Sequence, residues 1–164
     1  MMSREEMSAR LDITDLYARY VHAVDKSDYA TLEQRVFVTD TSFDMSDAGG
    51  PVMSWTQVKE SDFMGGWGFQ HFFHITSNLQ IDFEDDGNSA RTLSTTFNPW
   101  ATVDAKGGHR LYHVHGRYHD RVVRTADGWR IASRRWENGW VSGWPAGEFR
   151  VLSDMTELSA GGSR

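Results

Sequence analysis

The chain has no cysteine among its 164 residues, so neither a disulfide nor a thiolate metal site can form. It has no apolar run near the ~20 residues that span a bilayer, and residues 1–6 are too polar for a secretion signal. It also has no basic run to offset its net charge of −6, which argues against nucleic acid or an anionic membrane as a partner. We therefore expect a cytoplasmic protein with a single domain over residues 1–164 that ends in a tail over residues 143–164.

Aromatic side chains, by contrast, are abundant. They make up 13% of the chain and include seven tryptophans. In a chain of this length, such a content indicates either large apolar contacts between subunits or a cavity lined with aromatic side chains.

The beginning of the chain has the periodicity of a helix. Ser3 opens a capping box, and apolar residues at three- and four-residue steps predict a helix over residues 4–24. Either Ser27 or Asp28 is expected to cap a short second helix that reaches about residue 34.

Strand and helix signals then follow in short segments. Residues 36–45 are predicted to form a strand, and residues 54–64 a short helix with Trp55 and Val58 facing the core. The glycines within residues 65–68 indicate a flexible joint.

The second half of the chain alternates strands with turns. Strands are predicted at residues 79–83, 89–103, 109–125 and 129–141, separated by glycine-containing turns. Helices followed by strands linked as hairpins predict an α+β fold, with the N-terminal helices packed on one face of a curved, mostly antiparallel sheet. The tail is expected to fray beyond about residue 158.

The predicted strand over residues 109–125 carries two different rows of side chains, because successive residues of a strand point to opposite faces. The row expected to face the helices and a cavity consists of Tyr112, Val114, Gly116 and Tyr118. The row expected to face solvent or a partner subunit consists of His113, His115, Arg117 and His119.

The strongest candidate for a metal site is His113-Val114-His115. Two histidines at i and i+2 can ligate one ion, and together with Gly107 they are similar to the first motif of the cupins. A cupin also has a glutamate ligand four or five residues later, where this chain has His119 and Asp120, and a second histidine motif, whereas no histidine follows His119. We therefore interpret the pair as part of an exposed or interfacial strand face and expect no metal.

Asp25 and His74 are the candidates for acid–base chemistry. Asp25 closes the first helix, where its carboxylate meets the negative end of the helix dipole, and an imidazolium partner would explain that choice. A carboxylate can hold an imidazole in one tautomer and make it a base near neutral pH. Tyr17 and Tyr20 lie just upstream, where their hydroxyls could bind a carbonyl or enolate oxygen, and core packing would explain Tyr17 equally well.

Further polar residues allow two interpretations each. His71 could supplement His74 or pack beneath the helix. Thr96, Asn98 and Trp100 share one strand face, and their mixture of polar and aromatic groups suits either a binding pocket or an ordinary sheet surface.

Taken together, four motifs resemble the SnoaL-like branch of the NTF2-like (cystatin-like α+β) superfamily. They are YARYVHAVDKSD at residues 17–28, HITSN at 74–78, GRYHD at 116–120 and DGWRI at 127–131. The likeness covers roughly residues 5–142. It implies an NTF2-like cone, in which the helices pack on a strongly curved sheet, and a homodimer or homotrimer formed through the sheet face.

Within that superfamily, the catalytic pattern is nearest to scytalone dehydratase and the hexachlorocyclohexane dehydrochlorinase. In both enzymes, an aspartate at the end of the first long helix orients a histidine that removes a proton in an elimination. Asp25 and His74 fall on those two positions. Tyr20 falls where ketosteroid isomerases place an oxyanion-binding tyrosine, but the base of those enzymes would fall near Asp44 or Met45, which match poorly.

The chain also departs from these enzymes. Scytalone dehydratase has a second histidine where this chain has Asn98 or Trp100, an asparagine where Tyr118 falls, and a tyrosine where Val24 stands. The dehydrochlorinase has a lysine where Tyr20 stands. The resemblance therefore implies a substrate different from either of theirs.

In functional terms, the resemblance implies a cofactor-independent lyase of the dehydratase type that acts on a small hydrophobic substrate of aromatic or polyketide type. His74 would abstract a proton, Asp25 would orient it and Tyr20 would stabilise the negative charge. The implied substrate-binding residues are Tyr17, His71, Asn98, Trp100 and Tyr118. Three alternatives stay open: a polyketide cyclase or ketosteroid-isomerase-like isomerase in the same pocket, a non-catalytic ligand-binding module, and a metal enzyme that uses the histidine row.

Overall fold

A computed structural model describes residues 2–61 and 69–143 and has the predicted α+β organisation. Its first element is helix α1, Arg4–Val24, with the predicted bounds. The Ser3 side chain caps it by accepting a hydrogen bond from the Glu6 backbone N–H, while the Glu6 carboxylate pairs with Arg10. The apolar stripe of α1 is buried because it packs against the sheet, and this packing holds the end of the helix over one edge of the sheet.

A tight turn follows α1. Ser27 adopts a left-handed backbone with φ 51°, and Asp28 caps the short helix α2, Tyr29–Thr31. The single short helix predicted here continues as a π-helical turn, Leu32–Val36, which leads directly into the first strand. Asp28 rather than Ser27 is therefore the capping residue.

The third helix, α3, spans Trp55–Glu60 and is capped by a Ser54–Gln57 capping box. Trp55 and Val58 are fully buried, as predicted. The helix ends before the predicted residue 64, and the joint predicted at residues 65–68 lies outside the described residues.

One mixed sheet contains all seven described strands. Their bounds are β1 Phe37–Asp44, β2 Val52–Ser54, β3 His71–Phe72, β4 Ile75–Phe83, β5 Ser89–Val103, β6 His109–Thr125 and β7 Gly128–Ser142. The order is β2-β1-β7-β6-β5-β3, and β4 also pairs with β5. All neighbours are antiparallel except β1 and β7, which run parallel.

The long meander β5–β6–β7 matches its prediction closely. Gly107 and Gly128 take left-handed conformations, with φ 80° and 103°, at the two turns. Strands β2 and β3 and the parallel β1–β7 pairing are absent from the sequence prediction. Strand β4 contains an irregularity between Ser77 and Gln80, where Asn78 adopts φ 52°.

The two faces of β6 are as predicted. The row that contains Tyr112, Val114, Gly116 and Tyr118 is buried, and the histidine row is half-buried to exposed. Helix α1 packs against β4 and β7, and its buried side chains form one core with those of β5 and β6, so the core lies between the helix and the sheet. Within residues 2–61 and 69–143, no helix has the length and apolar character needed to cross a membrane.

Candidate active site

Asp25 and His74 meet at the junction of α1 with the edge of the sheet. The Asp25 Oδ1 atom lies 2.7 Å from His74 Nδ1. The same carboxylate accepts the His74 backbone N–H, at 2.9 Å for Oδ1 and 3.2 Å for Oδ2. The two side chains are 17% and 11% exposed, so the pair is shielded from most of the solvent.

This geometry defines the chemistry open to the imidazole. A carboxylate accepts and does not donate, so Nδ1 carries the proton in the hydrogen bond to Asp25. The lone pair of the neutral ring then lies on Nε2, and the adjacent negative charge stabilises the imidazolium formed when Nε2 takes a proton. The same carboxylate also bonds the His74 backbone, just before β4 begins. Asp25, at the end of α1, therefore positions both the main chain and the side chain of His74.

His74 lines two adjoining grooves. One, of about 460 Å³, is also lined by Tyr17, Val21 and Ser94. The other, of about 570 Å³, is lined by Asp25 and His71. The structure therefore places the predicted His71 near the pair, where its exposed ring lies 5.7 Å from that of His109.

Aromatic rings pack around the imidazole. The Tyr20 ring lies 6.4 Å from that of His74 in an edge-on arrangement, and the Trp100 ring lies 6.3 Å away. The Tyr20 and Tyr118 hydroxyls are 3.3 Å apart, and both residues are buried. Burial, followed by the proximity of Tyr20, raises the pKa of Tyr118 well above its usual value, so its hydroxyl is protonated at neutral pH.

Beneath the two tyrosines lies a buried ion pair. Arg134 donates to both oxygens of Asp120, at 2.9 and 2.7 Å. Its guanidinium carbon lies 3.7 Å from the centre of the Tyr118 ring and 4.1 Å from that of Tyr20. A cation in this position attracts the negative faces of both rings and raises the cost of moving either one.

The hydroxyl of Tyr17 takes part in this buried network. It donates to Asp120 at 2.6 Å and lies 2.5 Å from the Thr92 hydroxyl. Burial, then the negative charge of Asp120, raises the pKa of Tyr17 well above its usual value. The Tyr17 hydroxyl is therefore bonded within the core, where it ties α1 to the sheet. The residue also lines the groove beside His74, and its role in substrate binding stays a prediction.

The inward row of β5 brings several predicted residues together. Thr96, Asn98 and Trp100 are all buried on the face that α1 covers, and Thr92 and Ser94 continue the row.

The opposite face of the sheet has a different character. The His115 ring stacks on Trp140 at 3.4 Å, and His113 lies 3.3 Å from the Ser142 hydroxyl. Burial, then the neighbouring His113, lowers the pKa of His115. In the part of the chain that the structure describes, no three histidine or carboxylate side chains cluster in a way that could hold a metal ion.

Asp44 is one of the two residues near which the base of a ketosteroid isomerase would fall. Asp44 accepts hydrogen bonds from the backbone and hydroxyl of Ser46, at 2.9 and 2.6 Å, in an exposed turn. These hydrogen bonds lower the pKa of Asp44. The Asp44 carboxylate is thus engaged in hydrogen bonds within this turn.

Asp120 and Arg134 are the site residues that sequence reasoning missed. The sequence does contain a signal for Asp120, because this residue continues the period-two row of Tyr118 that is predicted to face inward. A carboxylate in such a row requires a buried cation, and Arg134 lies directly opposite it in the β6–β7 register.

Comparisons with known proteins agree with this architecture. A model of the SnoaL-like domain matches residues 5–135. An uncharacterized protein of Mycobacterium tuberculosis is 32% identical over 136 residues, which covers 82% of this chain and 88% of that protein.

Solved structures show the same fold at lower identity. A Novosphingobium aromaticivorans protein, provisionally named a scytalone dehydratase, matches with a TM-score of 0.73 at 18% identity, over 88% of this chain and 93% of that one. A hexachlorocyclohexane dehydrochlorinase from Novosphingobium barchaimii matches with a TM-score of 0.68 at 16% identity, over 88% and 96%. An NTF2-like superfamily protein from Salmonella enterica matches with a TM-score of 0.65 at 23% identity, over 87% and 97%. At such identities these structures show the fold alone, and together with the domain match they show that this chain belongs to the SnoaL-like family and has the NTF2-like α+β fold.

Proposed function

We propose that this chain is a cofactor-independent lyase of the dehydratase type, with His74 as its general base. The observation that carries the proposal is the double contact of Asp25, which accepts hydrogen bonds from both the ring and the backbone N–H of His74. One carboxylate thereby holds the base in a single orientation and a single tautomer. The dehydratase and the dehydrochlorinase among the structural neighbours lend support at the level of the fold.

The proposed reaction begins at Nε2 of His74. This nitrogen removes a proton from a carbon next to an activating group such as a carbonyl, and the electron pair of the broken C–H bond moves into an enolate. Expulsion of a leaving group from the neighbouring carbon then completes an elimination. The proton held on His74 can be returned to the departing group, so the base is regenerated.

Tyr20 is proposed to stabilise the negative charge of the enolate. Its hydroxyl forms a close pair with that of Tyr118, and the buried guanidinium of Arg134 lies against both rings. A fixed positive charge beneath hydrogen-bond donors favours an anion bound to them. Trp100 and Tyr118 would provide apolar surface for a small substrate of aromatic or polyketide type.

The same pocket could instead serve a cyclase or an isomerase, since both reactions begin with an enolate. The paired hydroxyls of Tyr20 and Tyr118 support this second candidate as much as the first, because an enolate oxygen forms in both. The products would separate the candidates. Elimination releases a leaving group from the substrate. Isomerisation releases nothing, and cyclisation releases at most water, after the ring has closed.

The proposal is tested by following hydrogen–deuterium exchange of the acidic C–H protons of 2-tetralone in D₂O by proton NMR. Wild type should accelerate exchange, and His74→Gln and Asp25→Asn should each reduce that acceleration about 10²- to 10⁴-fold. The matched control is His113→Gln, which removes a histidine from the opposite face of the sheet and should retain wild-type exchange.

Two outcomes would contradict the proposal. Unchanged exchange in both dyad variants would remove His74 from the mechanism. Binding of the probe without any accelerated exchange in wild type would favour the non-catalytic ligand-binding module.

We also propose that the outer face of the sheet binds a second copy of the chain. Trp140 and Leu111 on this face are 57% and 56% exposed, although both are large and apolar. Light scattering coupled to size exclusion should show a dimer or trimer for wild type and a monomer for Trp140→Glu. A monomeric wild type would contradict this part of the proposal.

A further inference from the structure

Three polar side chains follow one another on the inward face of β5. Ser94, Thr96 and Asn98 are 0%, 1% and 3% exposed. Ser94 Oγ, Thr96 Oγ1 and Asn98 Oδ1 have no hydrogen-bond partner among the described residues. We call these three residues the β5 polar row.

The polar row runs directly to the base. Ile75 pairs with Phe97, and the Phe73 backbone N–H donates to the Pro99 carbonyl, so His74 lies opposite Asn98. At the other end of the row, Ser94 lines the 460 Å³ groove together with His74. Ser94 thus meets the groove of the proposed base directly, and Thr96 and Asn98 continue the row behind it to the position opposite His74.

Thr92 is a buried polar residue of β5 whose hydroxyl, unlike those of the polar row, has a hydrogen-bond partner. It is the preceding member of the same strand face, and its hydroxyl is 2.5 Å from that of Tyr17. The next three members lie opposite Tyr118, Gly116 and Val114 on β6. Burial of polar groups without partners costs free energy, and alanine or valine at the same positions would avoid that cost. A run of three such groups at period two therefore indicates a ligand rather than a packing requirement.

We propose that the β5 polar row is a hydrogen-bonding subsite that binds the oxygen substituents of the substrate. The inference rests on the proposed function and narrows its substrate class to a cyclic compound that carries hydroxyl or carbonyl groups. A halogenated or purely hydrocarbon substrate would leave all three groups unpaired. The substrate is thus more polar than the aromatic composition of the chain suggests.

The chemistry of each group adds detail. Neighbouring members of the row are about 6.6 Å apart, so a ligand that contacts two of them has its oxygens at separate positions of its carbon frame. The Ser94 and Thr96 hydroxyls can donate or accept, whereas Asn98 Oδ1 only accepts. The subsite therefore calls for a donor, such as a hydroxyl, at the Asn98 end beside His74.

The test measures the affinity of tetralin, 2-tetralone and 6-hydroxy-2-tetralone by ligand-observed NMR titration. These probes share one carbon frame and differ by zero, one and two oxygens. Wild type should bind more tightly with each added oxygen, by about three- to tenfold per hydrogen bond. Ser94→Ala, Thr96→Val and Asn98→Leu should each reduce the preference for 6-hydroxy-2-tetralone over tetralin by a similar factor, with the affinity for tetralin within twofold of wild type.

The matched control is Thr95→Val, on the same strand but on its opposite face. It makes the same chemical change as Thr96→Val and should leave the preference intact. The Tm without ligand is a second readout, because removal of a buried, unpaired hydroxyl should keep or raise the Tm in Ser94→Ala and Thr96→Val. A purely structural role predicts a lower Tm instead.

Equal affinity of wild type for the three probes would overturn the subsite. So would a preference that survives all three substitutions, or a fall in Tm in both hydroxyl variants. Failure of the proposed function looks different: 2-tetralone exchange would be insensitive to His74→Gln while the preference for oxygenated probes persists. The binding and exchange measurements thus report on the two proposals separately.

Discussion

Asp120 and Arg134 form a two-point ion pair in which the side chains are 0% and 1% exposed. Neither residue belongs to the Asp25–His74 pair, yet the guanidinium of Arg134 contacts the rings of both Tyr20 and Tyr118. The guanidinium that contacts the two tyrosines therefore comes from β7 and is held by a carboxylate of the neighbouring strand β6. Asp120 also accepts the hydroxyl of Tyr17, so the same carboxylate ties α1 to the sheet.

Removal of this cation should be costly. Arg134→Met leaves the Asp120 carboxylate buried without its counter-ion, and we expect the free energy of unfolding to fall by about 3–5 kcal/mol. Urea denaturation followed by tryptophan fluorescence measures the change. Arg91→Met is the control, because the Arg91–Glu84 pair is exposed and such pairs contribute about 0–1 kcal/mol. Similar losses in the two variants would show that the buried ion pair of Arg134 contributes no more to stability than an exposed one.

Asp25 should have separable structural and chemical roles. Asp25→Ala removes the acceptor for the His74 backbone N–H, and we expect a loss of about 1–3 kcal/mol in the free energy of unfolding. Asp25→Asn keeps one carbonyl oxygen for that N–H, so we expect its free energy of unfolding to fall by less than about 1 kcal/mol. Urea denaturation of both variants checks the order. Equal destabilisation would mean that the backbone contact adds nothing to the stability of the fold.

The lowered pKa of His115 predicts a pH dependence of stability. Burial, and then the charge of His113, disfavours the protonated ring in the folded chain, so the unfolded chain binds the proton more readily. This contribution to stability is complete above the unfolded pKa of about 6.5 and is lost as the pH falls through that value towards the folded pKa. Differential scanning calorimetry from pH 8 to 5 should therefore show a smaller fall in Tm for His115→Gln than for wild type. His22→Gln, which removes an exposed helical histidine, controls for the loss of one imidazole, and the same smaller fall in that variant would count against the assignment.

Gly116 should be intolerant of any side chain. A Cβ atom there would lie 2.3 Å from the Trp136 ring and 2.5 Å from the Glu137 carbonyl oxygen. The added methyl group of Gly116→Ala must displace backbone or a buried ring. We expect the free energy of unfolding to fall by about 1–3 kcal/mol. Gly108→Ala meets only the Asp104 side chain and should cost less. Urea denaturation compares the two, and the reverse order would contradict the packing described for this strand.

Local patterns in the sequence were sufficient for the elements with strong periodicity. Helix α1 and strands β5 and β6 have the predicted bounds, because an apolar helical stripe and glycine turns determine them locally. The parallel pairing of β1 with β7 joins residues distant in the chain and has no local signal. The two-residue strand β3 is likewise too short to show a period.

The candidate site was predictable only in part, for a related reason. The contact between Asp25 and His74 was expected from a family resemblance, since no spacing rule links residues so far apart. For Tyr17 the sequence leaves two interpretations open, because a tyrosine on an apolar helix face can contact a ligand or a buried group, and only the fold shows that its hydroxyl donates to Asp120. Asp120 itself continues the period-two row of β6, so its inward position has a local signal in the sequence.

The parallel alignment of β1 with β7 also bears on the order in which the chain folds. Phe37 lies opposite Ile131, so β1 cannot pair with the main sheet until nearly the whole described chain has been brought together. The hairpins of β5, β6 and β7 close over short turns and have a much smaller loop-closure cost. We therefore expect the meander to assemble first and β1 to dock late, so that the aromatic cluster of Phe37, Phe43 and Trp55 packs after the hairpins have formed.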